Sequence, residues 1–88
     1  MRIWKFPLEV TDHQTILMPP RAQLLTVQWQ NSICCVWALC DQTDESRERR
    51  HIAIYGTGNP IPDNPGGYIA TFQMYDGALV FHAFEIAD

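Results

Sequence analysis

Along most of this chain apolar and polar residues alternate with a period of two, the repeat of a strand with one buried face. From 24 to 30, Leu25, Val27 and Trp29 fall on one side and Thr26, Gln28 and Gln30 on the other. Asn31-Ser32 interrupts this run, and a second β-rich run covers 33–40. A two-residue gap of small polar residues predicts a tight hairpin. Its register then sets Gln30 opposite Ile33, Trp29 opposite Cys34, Val27 opposite Val36 and Leu25 opposite Ala38. The face made of Leu25, Val27, Trp29, Cys34, Val36 and Ala38 is wholly apolar and is expected to be core. A slip of one residue would exchange the two faces, so the pattern specifies the register.

A second hairpin is expected from 67–75 and 78–86, which flank Asp76-Gly77. That dipeptide suits a type I′ turn because glycine accepts positive φ at no steric cost. Met74 then faces Leu79, Phe72 faces Phe81 and Ala70 faces Ala83, again on an apolar side. Three further segments read as strands. In 2–6, Trp4 and Phe6 share a side; 13–18 ends at Pro19-Pro20, which donate nothing to a ladder; in 49–55, Ile52 and Ile54 point inward. The charged stretch 41–50 lacks the apolar stripe of an amphipathic helix and reads as a mobile loop. The fold expected is all-β: a compact antiparallel sandwich or partly open barrel of about seven short strands, one domain over 1–88.

Composition narrows the partners. Eighty-eight residues support one core. The net charge of −4, with six lysines and arginines, argues against direct nucleic-acid binding, which draws its affinity from many basic contacts to phosphate. No apolar run approaches the about 20 residues of a membrane span, and the first residues have no secretory apolar core. The odd set Cys34, Cys35 and Cys40 cannot pair completely. A reducing cytoplasm, with the thiols packed as small hydrophobes, is the expectation.

Candidate chemistry is sparse. Gly56-Thr57-Gly58 is not followed by the Gly-Lys-Ser/Thr of a phosphate loop, although its backbone amides suit a small anion nest. It opens the irregular segment 56–67, which holds three prolines and four glycines. Irregular segments of that length in small domains are often functional or disordered. His82 is expected opposite Thr71 on the non-core face. Gly56, Thr57, Gly58, Asn59, Thr71 and His82 are therefore the candidate ligand-binding residues. No cysteine spacing fits a metal site: Cys34 and Cys35 point to opposite faces, and Cys34 and Cys40 lie about 20 Å apart along one strand. No nucleophile–base spacing is tied to any histidine, and no catalytic residue, metal or cofactor is assigned.

The strongest signal is a surplus of apolar residues. Once the core faces are filled, the reverse of the first hairpin still carries Ile33, Cys35, Trp37 and Leu39. That of the second carries Ile69, Tyr75, Val80 and Phe84. Sandwiches normally solvate their outer faces. Either the strand at 13–18 or the 56–67 segment folds over them, or another chain does; the second is favoured, and these eight residues are the candidate interface of a homo-oligomer or of a complex with a partner.

Several runs resemble one family: Trp4-Lys5-Phe6, Gln-Thr-Ile-Leu-Met-Pro at 14–19, Cys35-Val36-Trp37-Ala38, Ile54-Tyr55-Gly56-Thr57-Gly58, Tyr68-Ile69-Ala70-Thr71-Phe72 and Val80-Phe81-His82 before Phe84-Glu85. The chain looks like a member of a family of small uncharacterised bacteriophage and prophage proteins. The resemblance implies action inside an infected bacterium and carries no catalytic residue. Together these readings lead to a non-enzymatic binding protein that occupies a host protein or sequesters a small host signal molecule, with inhibition of bacterial defence as one version. The alternatives are a structural or assembly component of a phage particle and a small hydrolase or nucleotide-modifying enzyme.

Overall fold

The computed structural model describes residues 1–87 and contains seven strands there. They are β1 (Arg2–Leu8), β2 (Gln14–Met18), β3 (Gln23–Gln30), β4 (Ile33–Cys40), β5 (Glu48–Gly56), β6 (Gly67–Met74) and β7 (Leu79–Ile86). They form two antiparallel sheets, β1-β4-β3 and β2-β5-β7-β6. This is an open sandwich. Among the described residues no ladder joins one sheet to the other, so the expected sandwich is found and the sheets do not close into a barrel.

Both predicted hairpins form in the predicted register. Gln30 pairs with Ile33, Trp29 with Cys34 and Val27 with Val36. Met74 pairs with Leu79, Phe72 with Phe81 and Ala70 with Ala83. The first turn carries positive φ at both central residues, 51° at Asn31 and 65° at Ser32. That is the type I′ geometry, whose twist matches a right-twisted ribbon. A serine held there carries a steric cost that glycine avoids. Ser32→Gly is expected to stabilise the domain by about 0.5–1 kcal/mol, seen as a rise of several degrees in Tm. An unchanged or lower Tm would mean that Ser32 relaxes out of the left-handed region in solution.

One expectation fails at the far end of the first hairpin. The register shifts between Leu24 and Thr26, so Leu24 rather than Leu25 lies opposite Ala38. Leu25 points away from the core and is 40% exposed. The cause is a bulge, which adds one residue to β3 and reverses the parity beyond it. β6 carries the same device between Tyr68 and Ala70. These two bulged edge strands lie beside each other where the sheets meet, and the bulges disrupt the ladder an incoming strand would need.

The core lies between the sheets. Val27, Val36, Ala38, Cys34 and Cys40 come from the first sheet and Ile52, Ile54, Phe72, Met74 and Ala83 from the second, all buried. Trp4, Phe6, Trp29 and Ile69 pack around this cluster as half-buried residues. At the turn end, Trp29 meets Tyr75 with ring centroids 5.9 Å apart. Between β4 and β5, the Asp41 carboxylate accepts from the Thr43 amide and hydroxyl. The Asp44 carboxylate accepts likewise from Ser46 and faces Arg21 at 3.6 Å. These bonds hold both carboxyls below their ordinary range, first through the Thr43 and Ser46 hydroxyls and then through their amides. The charged connection is thus internally bonded.

Gly66, with φ of 100°, leads into β6. A Cβ there would stand 2.3 Å from the Glu85 carbonyl oxygen. No larger residue fits, and this contact fixes where the 57–66 loop rejoins the second sheet.

Candidate functional site

The 57–66 loop leaves β5 at Gly56 and turns back at once. The Asn59 amide donates to the Gly56 carbonyl at 3.1 Å, and the Thr57 amide to the Val80 carbonyl at 3.1 Å. This lays Thr57, Gly58, Asn59 and Ile61 beside the outer face of the second sheet. A half-open cleft of about 300 Å³ results, lined by Tyr55, Gly56, Thr57, Gly58, Asn59, Ile61, His82 and Phe84. The strand register explains the grouping: Tyr55 and His82 are cross-strand partners on β5 and β7. Phe84 lies two residues further along the same face of β7.

Five of the six predicted ligand residues line this cleft, and the sixth supports it. His82 is opposite Thr71, as expected, and its Nδ1 lies 3.0 Å from the Thr71 hydroxyl. On the other side its Nε2 lies 2.7 Å from the Thr57 hydroxyl. One assignment satisfies all three hydroxyls of this network, those of Thr57, Thr71 and Tyr68. Thr57 Oγ donates to the Val80 carbonyl at 3.3 Å and accepts from His82 Nε2–H. His82 Nδ1 accepts from Thr71 Oγ, which accepts from the Tyr68 hydroxyl at 2.8 Å. In this assignment both ring nitrogens are engaged by threonine hydroxyls, and the face of the His82 ring is what it presents to the cleft.

Aromatic rings complete the floor. Tyr55 and Phe84 are tilted with centroids 6.1 Å apart, and Tyr68 meets Phe84 edge-on at 5.8 Å. These are favourable arrangements for ring quadrupoles and hold the side chains in place. Among the described residues no lysine, arginine, aspartate or glutamate lines the cleft. Sequence reasoning missed Tyr55 and Ile61. Tyr55 joins His82 only once β5 and β7 are known to be neighbours, and alternation within one strand does not report that.

The predicted interface residues divide. On the outer face of the first sheet Ile33 is 51% exposed, and Trp37 and Leu39 are half-buried. Ile3 and Leu25 join Trp37 around a depression of about 310 Å³, whose lining Thr26 and Gln28 complete. Cys35, by contrast, is buried and presents no surface. Pro7 and Gln28 flank it on the neighbouring strands, and on the same sheet the Lys5 ammonium donates to Gln30 Oε1 at 2.9 Å. Ile69 is turned onto the core by the β6 bulge. Tyr75 is exposed at the hairpin tip. Val80 and Phe84 are half-buried, and Phe84 belongs to the cleft floor.

A larger cavity, about 680 Å³, opens at the other end of the sandwich between Ala22, Arg49, Arg50, Gly67 and Glu85. Its size does not make it the better site. Arg50 is already committed to Glu85 and to the Ala22 carbonyl. The cysteines are buried and unpaired. Burial first, and then neighbouring Cys35, push the Cys34 thiol up to about 11. Burial also raises Cys40, against the opposing pull of Arg47 and Arg50. Such thiols stay protonated near neutrality and are poor nucleophiles.

The model of a family described as "Domain of unknown function (DUF7352)" matches residues 1–88, and the chain belongs to that family. No curated protein and no solved structure matches it.

Proposed function

We propose that this chain is a non-enzymatic binding protein of phage type, which sequesters a small host molecule in the cleft beneath its 57–61 loop. The observation that carries the reading is the state of His82. It is the cleft's one side chain of general-base type, and both its nitrogens are already bonded to threonines. What remains is a wall of rings and an amide, a lining suited to holding a ligand and not to transforming it. The phage attribution and action in the bacterial cytoplasm, including interference with defence signalling, rest on the sequence resemblance.

The test is native mass spectrometry of the protein purified without denaturation from bacterial cytoplasm. A small molecule should be retained, chemically unchanged after prolonged incubation, and lost in His82→Ala. Conversion of the retained molecule would end the non-enzymatic half of the reading. A bare protein that instead captures a host polypeptide through another surface would end the cleft's role.

The outer face of the first sheet supports a second reading, self-association of the kind an assembly component needs. Three strands about 4.8 Å apart and about 26 Å long give that face a footprint of roughly 14 by 26 Å. This is small beside the about 800 Å² per partner of a standard interface, so association through it is expected to be weak and concentration-dependent. Light scattering with size-exclusion chromatography should show larger species as concentration rises. Trp37→Glu should return them to monomer, with a melting temperature close to the parent's. A strict monomer at the highest soluble concentration removes this reading. Unfolding of Trp37→Glu would show that Trp37 belongs to the core.

A further inference from the structure

From the lining of the cleft we infer its ligand class: an uncharged, flat heterocycle whose ring lies on Tyr55, His82 and Phe84 and whose polar edge is read by Asn59. The inference rests on the cleft being the binding site and adds what the cleft selects.

Three features lead to it. The floor is made of rings: Tyr55 and His82 are cross-strand partners, and Phe84 is held between Tyr55 and Tyr68. Stacking on such a floor rewards any flat π-system and is indifferent to its sequence of atoms. Second, charge is absent. With no lysine or arginine in the lining and a net charge of −4 for the chain, a phosphate or carboxylate would give up its hydration for no ion pair. A cation would find the ring faces but no carboxylate. Third, the polar groups left to a ligand lie along the rim. His82 is fully bonded on both nitrogens, and Thr57 Oγ is shared between His82 and Val80. Asn59 carries an amide with both donor and acceptor, on the loop that roofs the floor. Gly58 beside it, at φ 87° with open space about its α-carbon, leaves its backbone approachable. A hydrocarbon ring would leave that amide unanswered, whereas a ring with nitrogen and carbonyl atoms at its edge satisfies it. The volume, about 300 Å³, suits one such ring with a small substituent and excludes large polycyclic ligands.

Adenosine, adenosine monophosphate and indole are the probes, titrated against the ¹⁵N-labelled full chain by NMR. Adenosine should produce saturable shifts at Tyr55, Asn59, His82 and Phe84. The monophosphate should bind at least threefold more weakly, and indole should bind without dependence on Asn59. Asn59→Ala, in an exposed loop, should weaken adenosine about tenfold and leave indole unchanged; Ile61→Ala should weaken both. The inference is overturned if the monophosphate binds tighter than adenosine, if Asn59→Ala leaves adenosine unaffected, or if no neutral heterocycle among the probes shifts these residues. The binding reading has its own readout. A retained cellular molecule that proves charged leaves the cleft a binding site and removes this ligand class. A protein that retains nothing and shifts with no probe loses both.

Discussion

Replacing Phe72 with alanine is expected to remove about 3–5 kcal/mol of stability, the cost of emptying a large aromatic site that cannot collapse. Phe72 is 1% exposed and heads the fully buried side chains by volume. It sits mid-strand in β6, stacked on its partner Phe81 with centroids 5.8 Å apart. A domain of this size has roughly 4–13 kcal/mol in total, so the loss is a large share of what holds it folded. In urea, where small domains lose about 1 kcal/mol per molar, the midpoint should fall by about 3–5 M or the variant should be unfolded from the start. Phe72→Leu keeps most of the volume and should lose far less. An alanine variant within 1 kcal/mol of the parent would show that the two sheets do not pack as described.

That Phe72 belongs at the centre was legible in the sequence, and the reason is the strength of the two-residue repeat. In both hairpins one face is apolar without exception, and the turn dipeptides Asn31-Ser32 and Asp76-Gly77 pin the register. Trp29, Val27, Phe72 and Ala83 could therefore be placed before any strand order was known. Leu25 was misplaced because a bulge leaves no mark on hydrophobicity: Leu24-Leu25 is apolar at both positions, so either can face inward. Ile69 was misassigned for the same reason, beside the second bulge. Cys35 has the parity of a surface residue, yet it is buried on the middle strand of its sheet, with Pro7 and Gln28 as its partners on either side. The cleft was half legible. Glycines and prolines marked the loop, and hairpin register set His82 beside Thr71. Tyr55, Ile61 and the Thr57 contact depend on β5 pairing with β7, a long-range choice that several topologies share.

Glu85→Ala is expected to cost about 2–3 kcal/mol, the second largest effect here. Arg50 is 14% exposed at its side chain and Glu85 30%. The guanidinium makes a two-point bond to the carboxylate, Nε to Oε2 at 2.5 Å and Nη2 to Oε1 at 3.0 Å. Its remaining nitrogen donates to the Ala22 carbonyl at 2.8 Å and faces Glu48 at 3.5 Å. Ala22 immediately precedes β3, so one side chain ties β5 and β7 of one sheet to the entry into the other. The Glu85 hydrogen bond is the main reason the arginine holds its proton more firmly than usual, against the opposing effect of burial. Removing a fully buried partner typically costs 3–5 kcal/mol, because the remaining charge is left without solvation. Here the rim is open enough for water to reach the guanidinium, and the figure is discounted accordingly. Glu85→Gln keeps the shape and one acceptor and should cost less. The decisive comparison is Arg50→Met with Glu85→Leu: if the cost lies in the stranded charge, the double variant recovers much of the stability that Glu85→Ala loses. A double variant as unstable as the sum of its singles would instead place the cost in the lost link between the sheets, and the ion pair would then be the joint that holds this end of the sandwich together.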